Sequence, residues 1–272
     1  MIKVKKSVSL SLFKADKNAP VLFSGNIEEN IPYIKEIGYD GVDLFVLDPK
    51  EEVSRKAITL LKANGLGVGV VMPAAMAKAG LFLGDMDRDI REEIIKRMKE
   101  IIVYASQVNA MVSLGLVRGS VKGNDTADAL LERFADSSEK LIPYAEKYDV
   151  KLVVEPINRY EINTLNASIE AYDFIQKCGL PLYLMLDTFH MNIEDVSIED
   201  SLIKCQALIQ HIHFVDSNRL APGMGHMDMV KIYEVLKQIR YNGYLCLEAL
   251  ALPDGKTCAE KGIEFFNKIG LA

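Results

Sequence analysis

The stretch KLVVEPI, residues 151–157, is a short apolar run interrupted near its end by a carboxylate, Glu155. Apolar residues at successive positions suit a parallel strand covered on both faces, so a charged residue there needs a reason. The pattern recurs three times downstream: LYLMLD (182–187) ends in Asp187, HIHFVD (211–216) carries His213 and YLCLEAL (244–250) carries Glu248. Between and after these runs lie amphipathic stretches of helical length at 168–178, 198–207, 227–240 and 257–269. The same rhythm runs upstream, with strands expected at 4–13, 41–46, 66–71 and 111–117 and helices at 27–37, 49–63 and 125–148. One more helix starts after Asp87, a capping residue, and carries Ile90, Ile94, Ile95, Met98, Ile101 and Ile102 on one face. Eight strands, each followed by a helix, is the (β/α)8 count. The sequence predicts an α/β fold, a single (β/α)8 TIM barrel formed by residues 1–272 as one domain.

Length agrees with this reading, because 272 residues divided among eight units is 34 per unit. A doubly wound open sheet would place a GxGxxG turn after the first strand, and none occurs. The chain carries 32 Lys+Arg against 38 Asp+Glu, a net charge of −6, which argues against a grip on nucleic-acid backbones. No apolar run is long enough for a membrane span, and the opening MIKVKKSVSLSLF alternates apolar residues with Ser, so it reads as a strand and not an export signal. The four cysteines, Cys178, Cys205, Cys246 and Cys258, share no CxxC spacing and sit in apolar-periodic segments, which predicts buried free thiols in a reducing cytoplasm.

Glu155, Asp187, His213 and Glu248 lie near the C-terminal parts of the last four strands, the edge where this fold builds active sites. Their separations of 32, 26 and 35 residues are each about one βα unit, so consecutive strands would bring them around one point. Three carboxylates gathered there repel one another and raise each other's pKa unless a cation intervenes. Three oxygen ligands and one imidazole suit Mn²⁺, Mg²⁺ or Co²⁺ better than a structural Zn²⁺. In the following loops, His190 and Arg219 can donate hydrogen bonds to a substrate oxygen beside the metal. Arg159 reads as a salt-bridge partner outside the chemistry. The loop APGMGH (221–226) leads into a helix whose N-terminal amides would suit a phosphate, or it is a tight turn that brings backbone close to substrate.

The segments EPINRYE, DTFHMNIED, HFVDSNR, APGMGHMDM and LEAL, in this order and spacing, resemble the D-tagatose 3-epimerase/D-psicose 3-epimerase family of xylose isomerase-like TIM barrels. The match is specific over residues 151–250, with a weaker one at GLVRG (115–119). The resemblance implies one divalent cation, Mn²⁺ before Mg²⁺ or Co²⁺, held by Glu155, Asp187, His213 and Glu248. It implies substrate contacts from Glu161, His190 and Arg219, with Asn166 assisting Glu161. The implied reaction inverts the carbon next to a ketone through an enediolate, which needs an acid and a base on opposite faces, Glu155 and Glu248. The chain departs from the commoner ketohexose epimerases in having no Trp and in carrying Met229 where they often place an aromatic residue. That widens the expected substrate to a ketose, an inosose or a keto-sugar acid, with Arg118 of GLVRG a candidate partner for a substrate carboxylate.

Other readings of the same residues are aldose–ketose isomerisation, which returns the proton to the same face, and dehydration of an inosose. A phosphodiesterase of the endonuclease IV type needs many imidazoles. Only His190, His211, His213 and His226 exist here, none in the first half of the barrel. A barrel that only binds sugar would not need both Glu155 and Glu248. Homo-oligomerisation is left open by the sequence.

Overall fold

A computed structural model describes residues 4–271. Strand β1 (Lys5–Ser11) leads to a two-residue strand β2 (Phe23–Ser24) and helix α1 (Ile27–Glu36), and β3 (Gly41–Phe45) to α2 (Glu52–Ala63). Next come β4 (Gly67–Met72) with α3 (Ala74–Lys78) and α4 (Arg88–Ser106), then β5 (Met111–Ser113) with α5 (Ala127–Glu139) and α6 (Ile142–Lys147). Strand β6 (Leu152–Val154) precedes α7 (Ser168–Cys178), and β7 (Tyr183–Asp187) runs into α8 (Thr188–Glu194) and α9 (Ile198–Cys205). Strands β8 (Ile209–His213) and β9 (Tyr244–Leu247) precede α10 (Met229–Gln238) and α11 (Gly255–Lys268).

All pairings are parallel, and β1 joins both β3 and β9, so eight strands close into the expected barrel. The ninth strand, β2, continues the edge of β1 that β9 leaves free, pairing at Leu10 and Ser11 beyond the end of the β9 ladder at Val8. The helices close over the outside through the faces that the periodicity predicts. In α4, Ile94, Ile95, Met98, Ile101 and Ile102 are buried and the Asp87 carboxylate caps the first turn by accepting from the Asp89 N–H. Gly38, at φ 107°, ends α1 in a conformation that side-chain-bearing residues avoid.

The inside of the barrel is different. A small apolar cluster (Phe45, Val70, Met72, Val153 and Met185 with Val21) shares it with buried polar groups, among them Ser7, Ser9, Ser11, Asp43 and His211.

Several boundaries differ from expectation for physical reasons. The expected helix over 125–148 is two helices, because Pro143 has no amide hydrogen to continue the ladder and instead sits in the first turn of α6. Between β4 and α4, where the sequence reading places no element, lies the short α3. The expected strands at 111–117, 151–157 and 211–216 pair only to Ser113, Val154 and His213. Beyond those points the chain leaves the ladder to build the barrel mouth, and Leu116–Arg118 becomes a 3₁₀ turn.

Candidate active site

The four residues singled out by the strand pattern do converge. Asp187 and His213 are the last residues of β7 and β8, whereas Glu155 and Glu248 stand one position past β6 and β9. One ligand atom from each lies within 4.8 Å of those of the other three, and all four residues are buried. His213 Nδ1 is 3.3 Å from Glu155 Oε1, 3.5 Å from Glu248 Oε2 and 3.7 Å from Asp187 Oδ2. Asp187 Oδ2 and His213 Nδ1 have no hydrogen-bond partner, although both are sealed from solvent. Orphaned buried acceptors facing one point are what a cation would satisfy, so the residues present fit a divalent ion of the oxygen-preferring kind.

The electrostatics of the cluster without a cation point the same way. Burial pushes the His213 imidazole down, but Glu248, Asp187, Asp43 and Glu155 outweigh it and raise its pKa well above the ordinary value. Burial likewise lifts Glu248 to about 8, against the opposing pull of His213 and Arg219. Burial also pushes Asp187 up, yet His190, His213 and Arg219 prevail and hold it at about 2. The cluster therefore holds protons where a metal would sit.

Arg219 caps this group. Its Nη2 donates to Glu248 Oε2 at 2.9 Å, its Nη1 donates to Glu161 Oε1 at 3.0 Å, and the guanidinium lies 4.9 Å from the centre of the Phe189 ring. The residue adopts φ 58°, which costs a non-glycine residue on the order of 1 kcal/mol. Its N–H bonded to the Asp216 carbonyl at 2.8 Å, and its own carbonyl bonded to the Leu250 N–H at 2.8 Å, hold it there.

His190 lies in α8, a helix the sequence pattern did not announce. Asp187 ends β7 and at the same time caps α8 by accepting from the Phe189 N–H at 2.8 Å. Asn158 Nδ2 donates to His190 Nδ1 at 2.8 Å and to Glu161 Oε1 at 2.9 Å. An amide donor on Nδ1 leaves the imidazole proton on Nε2, where it can be offered to a ligand.

Not every candidate reaches the site. Asn166 donates both amide hydrogens to carbonyls of its own loop, Ile157 at 2.7 Å and Ile162 at 2.8 Å, which leaves none to offer a substrate. Arg118 does not face substrate either: it is wholly buried and donates to the carbonyls of Glu155 (3.1 Å), Thr164 (2.8 Å) and Gly115 (3.4 Å). Burial, the larger influence, lowers its pKa to about 10. It clamps the loops after β5 and β6, and the Glu155 backbone with them. Arg118→Ala should lower stability by about 3 kcal/mol, or about 6–12 °C in melting temperature, because it orphans these carbonyls and opens a cavity. A calorimetric scan showing no change would refute the clamp.

The anion site considered for 221–226 is filled from within. The Asp216 carboxylate accepts from the N–H groups of Gly223 (2.8 Å) and Met227 (3.1 Å), and a Cβ at Gly225 would fall 2.2 Å from Asp216 Oδ1. The loop is thus a turn folded on its own carboxylate. Arg159 forms the salt bridge expected of it, a bidentate pair in which Nε donates to Glu194 Oε1 and Nη2 to Oε2. Two residues that the strand-end reading passed over are Asp43 and His211, fully buried below the cluster. Their signal was present: Asp43 interrupts GVDLF, a strand otherwise apolar.

A cavity of about 160 Å³ opens onto these groups. Glu155, His190, Arg219 and Glu248 form one wall, while Phe13, Val21, Phe45, Met72 and Leu116 contribute an apolar side.

A closed parallel barrel with three carboxylates and an imidazole gathered at its C-terminal mouth defines the class. The chain belongs to the xylose isomerase-like TIM barrel family, whose model matches residues 31–269. It is similar to a D-psicose 3-epimerase of Enterocloster bolteae, 38% identical over 117 residues, a segment that spans 43% of this chain and 39% of that protein. A 3-dehydro-D-guloside 4-epimerase of Escherichia coli (strain K12) is 28% identical over 238 residues, 83% of this chain and 88% of that protein. Among solved structures, the apo form of the 3-keto-D-glucoside 4-epimerase from E. coli superposes with a TM-score of 0.80 at 22% identity, covering 97% of this chain and 100% of that one. The resemblance read from the motifs is borne out at the level of the family. No helix among the described residues is long and apolar enough to cross a membrane.

Proposed function

We propose that this protein is a divalent-metal-dependent epimerase of a keto-sugar, inverting the carbon next to the carbonyl. The observation that carries this is the placement of Glu155 and Glu248 in one cavity, both within 3.5 Å of His213 Nδ1, one of them held by Arg219. Glu155, Asp187, His213 and Glu248 would hold the cation, best matched by Mn²⁺, with Mg²⁺ and Co²⁺ alternatives, which when bound supplies Lewis-acid stabilisation to the enediolate oxygens.

One glutamate removes the proton from the carbon next to the ketone, and the two electrons of that C–H bond form the enediolate double bond. The other glutamate delivers a proton to the opposite face, and the roles exchange in the reverse direction. His190 offers its Nε2 hydrogen, and Arg219 its guanidinium, to the oxygen on which negative charge develops. Glu161, held by Asn158 and Arg219, accepts from a sugar hydroxyl. The names of the relatives support the common step. A ketose 3-epimerase and a 3-dehydro-guloside 4-epimerase both invert the carbon beside a keto group, though the group sits at a different carbon. The substrate here is a small ketose, inosose, keto-sugar acid or keto-glycoside.

Incubating the Mn²⁺-loaded protein in deuterium oxide with a panel of these compounds should give deuterium at the carbon beside the carbonyl together with the inverted product. An aldose product would replace epimerisation by isomerisation. Absence of exchange across the panel would sink the reading.

A further inference from the structure

We propose that Asp43 and His211 form a positioning unit beneath the cluster, which holds His213 with its Nδ1 lone pair aimed at the cation site. This rests on the metal-site reading given above. Asp43 lies in the middle of β3, and His211 and His213, two residues apart on β8, point to the same side of the strand. All three are completely buried. Asp43 Oδ2 is 2.6 Å from His211 Nε2 and 3.2 Å from His213 Nε2, and its other oxygen lies 3.4 Å from the Ser7 hydroxyl.

A carboxylate can only accept, so each ring must present an Nε2–H to it. This places the coordinating lone pair of His213 on Nδ1, the atom facing the oxygens of Glu155, Glu248 and Asp187. Of the two imidazoles, only His213 belongs to the cluster with Glu155, Asp187 and Glu248, whereas His211 is grouped with Asp43, His213 and Cys246 beneath it. Its role is to give Asp43 a second donor, which stabilises the buried charge and fixes the carboxylate in place.

The surrounding backbone is shaped around this pair. Strand β4 shifts register against β3 between Val42 and Leu44, opposite Asp43. A Cβ at Gly69 in that irregularity would fall 2.6 Å from Asp43 Oδ1 and 2.8 Å from His211 Cε1, so a residue without a side chain is required. A carboxylate behind a ligating imidazole raises its basicity and fixes its orientation, and loss of such a partner typically costs 10–100-fold in metal affinity.

The test is Mn²⁺ affinity, read from the six-line paramagnetic resonance signal of unbound aqueous Mn²⁺ during titration of the apo protein. It is paired with thermal melts of the same apo samples. Asp43→Asn keeps shape and acceptor but removes the charge, and it should weaken Mn²⁺ binding by about 10–100-fold. His211→Asn should weaken it by about tenfold, the lower end of that range, since it acts through Asp43. A folded D43N or H211N protein that binds Mn²⁺ as tightly as the wild type overturns the proposal, whatever its melting temperature, because a merely structural role would move the melt and not the affinity. If D43N does not fold, H211N decides alone by the same criterion. Wild-type protein that takes up no Mn²⁺ overturns the metal reading together with this one. Wild-type binding with unaffected variants overturns this one only.

Discussion

Replacing Glu248 by Gln should lower kcat by about 10³-fold or more while the melting temperature of the metal-free protein stays close to that of the wild type. The change is nearly isosteric, so it opens no cavity in a residue that is 4% exposed. Arg219 also keeps company after the loss of one charge, with Glu161 Oε1 at 3.0 Å and Asp187 Oδ2 at 3.7 Å. What disappears is a proton acceptor that is at the same time a member of the cation cluster. The two-glutamate scheme makes a sharper claim than loss of turnover. In single-turnover deuterium exchange, E248Q should retain slow wash-in from the epimer whose C–H bond faces Glu155 and lose it from the other, and Glu155→Gln should show the converse. One variant losing exchange from both epimers while its counterpart loses neither would point to a single base. A near-normal kcat for E248Q would remove Glu248 from the chemistry altogether.

The part of this site that the sequence reveals is the part that disturbs a pattern near a strand end. Glu155, Asp187, His213 and Glu248 each interrupt an apolar run at its C-terminal side, and barrel geometry turns that linear regularity into one point in space. Asp43 breaks the same kind of run, in GVDLF, but in the middle of the strand and with its partners 168 and 170 residues away. Nothing local links it to His211 and His213. Asn166 shows the opposite failure, since proximity in sequence to Glu161 says nothing about where an amide spends its two hydrogens. Arg118 was open to the same error, because a cation in a loop near the mouth looks available until backbone carbonyls are found to saturate it. The helix carrying His190 escaped notice because seven residues give too short a period to detect, and its cap, Asp187, already had a reading as a strand-end ligand. Apolar periodicity overstates strand length wherever apolar residues continue past the ladder to line the cavity, as Ile157 and Val117 do.

Mn²⁺ should protect the protein against heat by an amount that grows as pH rises from 6 to 8. Two linked effects have the same sign. Without the cation, Glu248 titrates near 8 against an ordinary 4.5, and His213 well above its ordinary 6.5, so the native state binds protons that the unfolded chain has released. A folded pKa raised above the unfolded one stabilises fully below the unfolded value, and that contribution is lost as pH rises through the folded value, so the apo protein weakens across this window. The cation competes for the same lone pairs. Each proton it must displace makes its affinity rise about tenfold per pH unit while the proton is still held, or about 1.4 kcal/mol of added stabilisation at saturation. For a chain of this size that corresponds to about 3–5 °C per pH unit for each displaced proton. Melting curves at pH 6, 7 and 8, recorded with EDTA and with saturating Mn²⁺, measure the gap directly. A gap that is constant or narrows with pH would mean that the cation does not bind through His213 and Glu248. EDTA-stripped protein turning over as fast as the loaded form would mean that the reaction proceeds without it, leaving the carboxylates and Arg219 to stabilise the enediolate unaided.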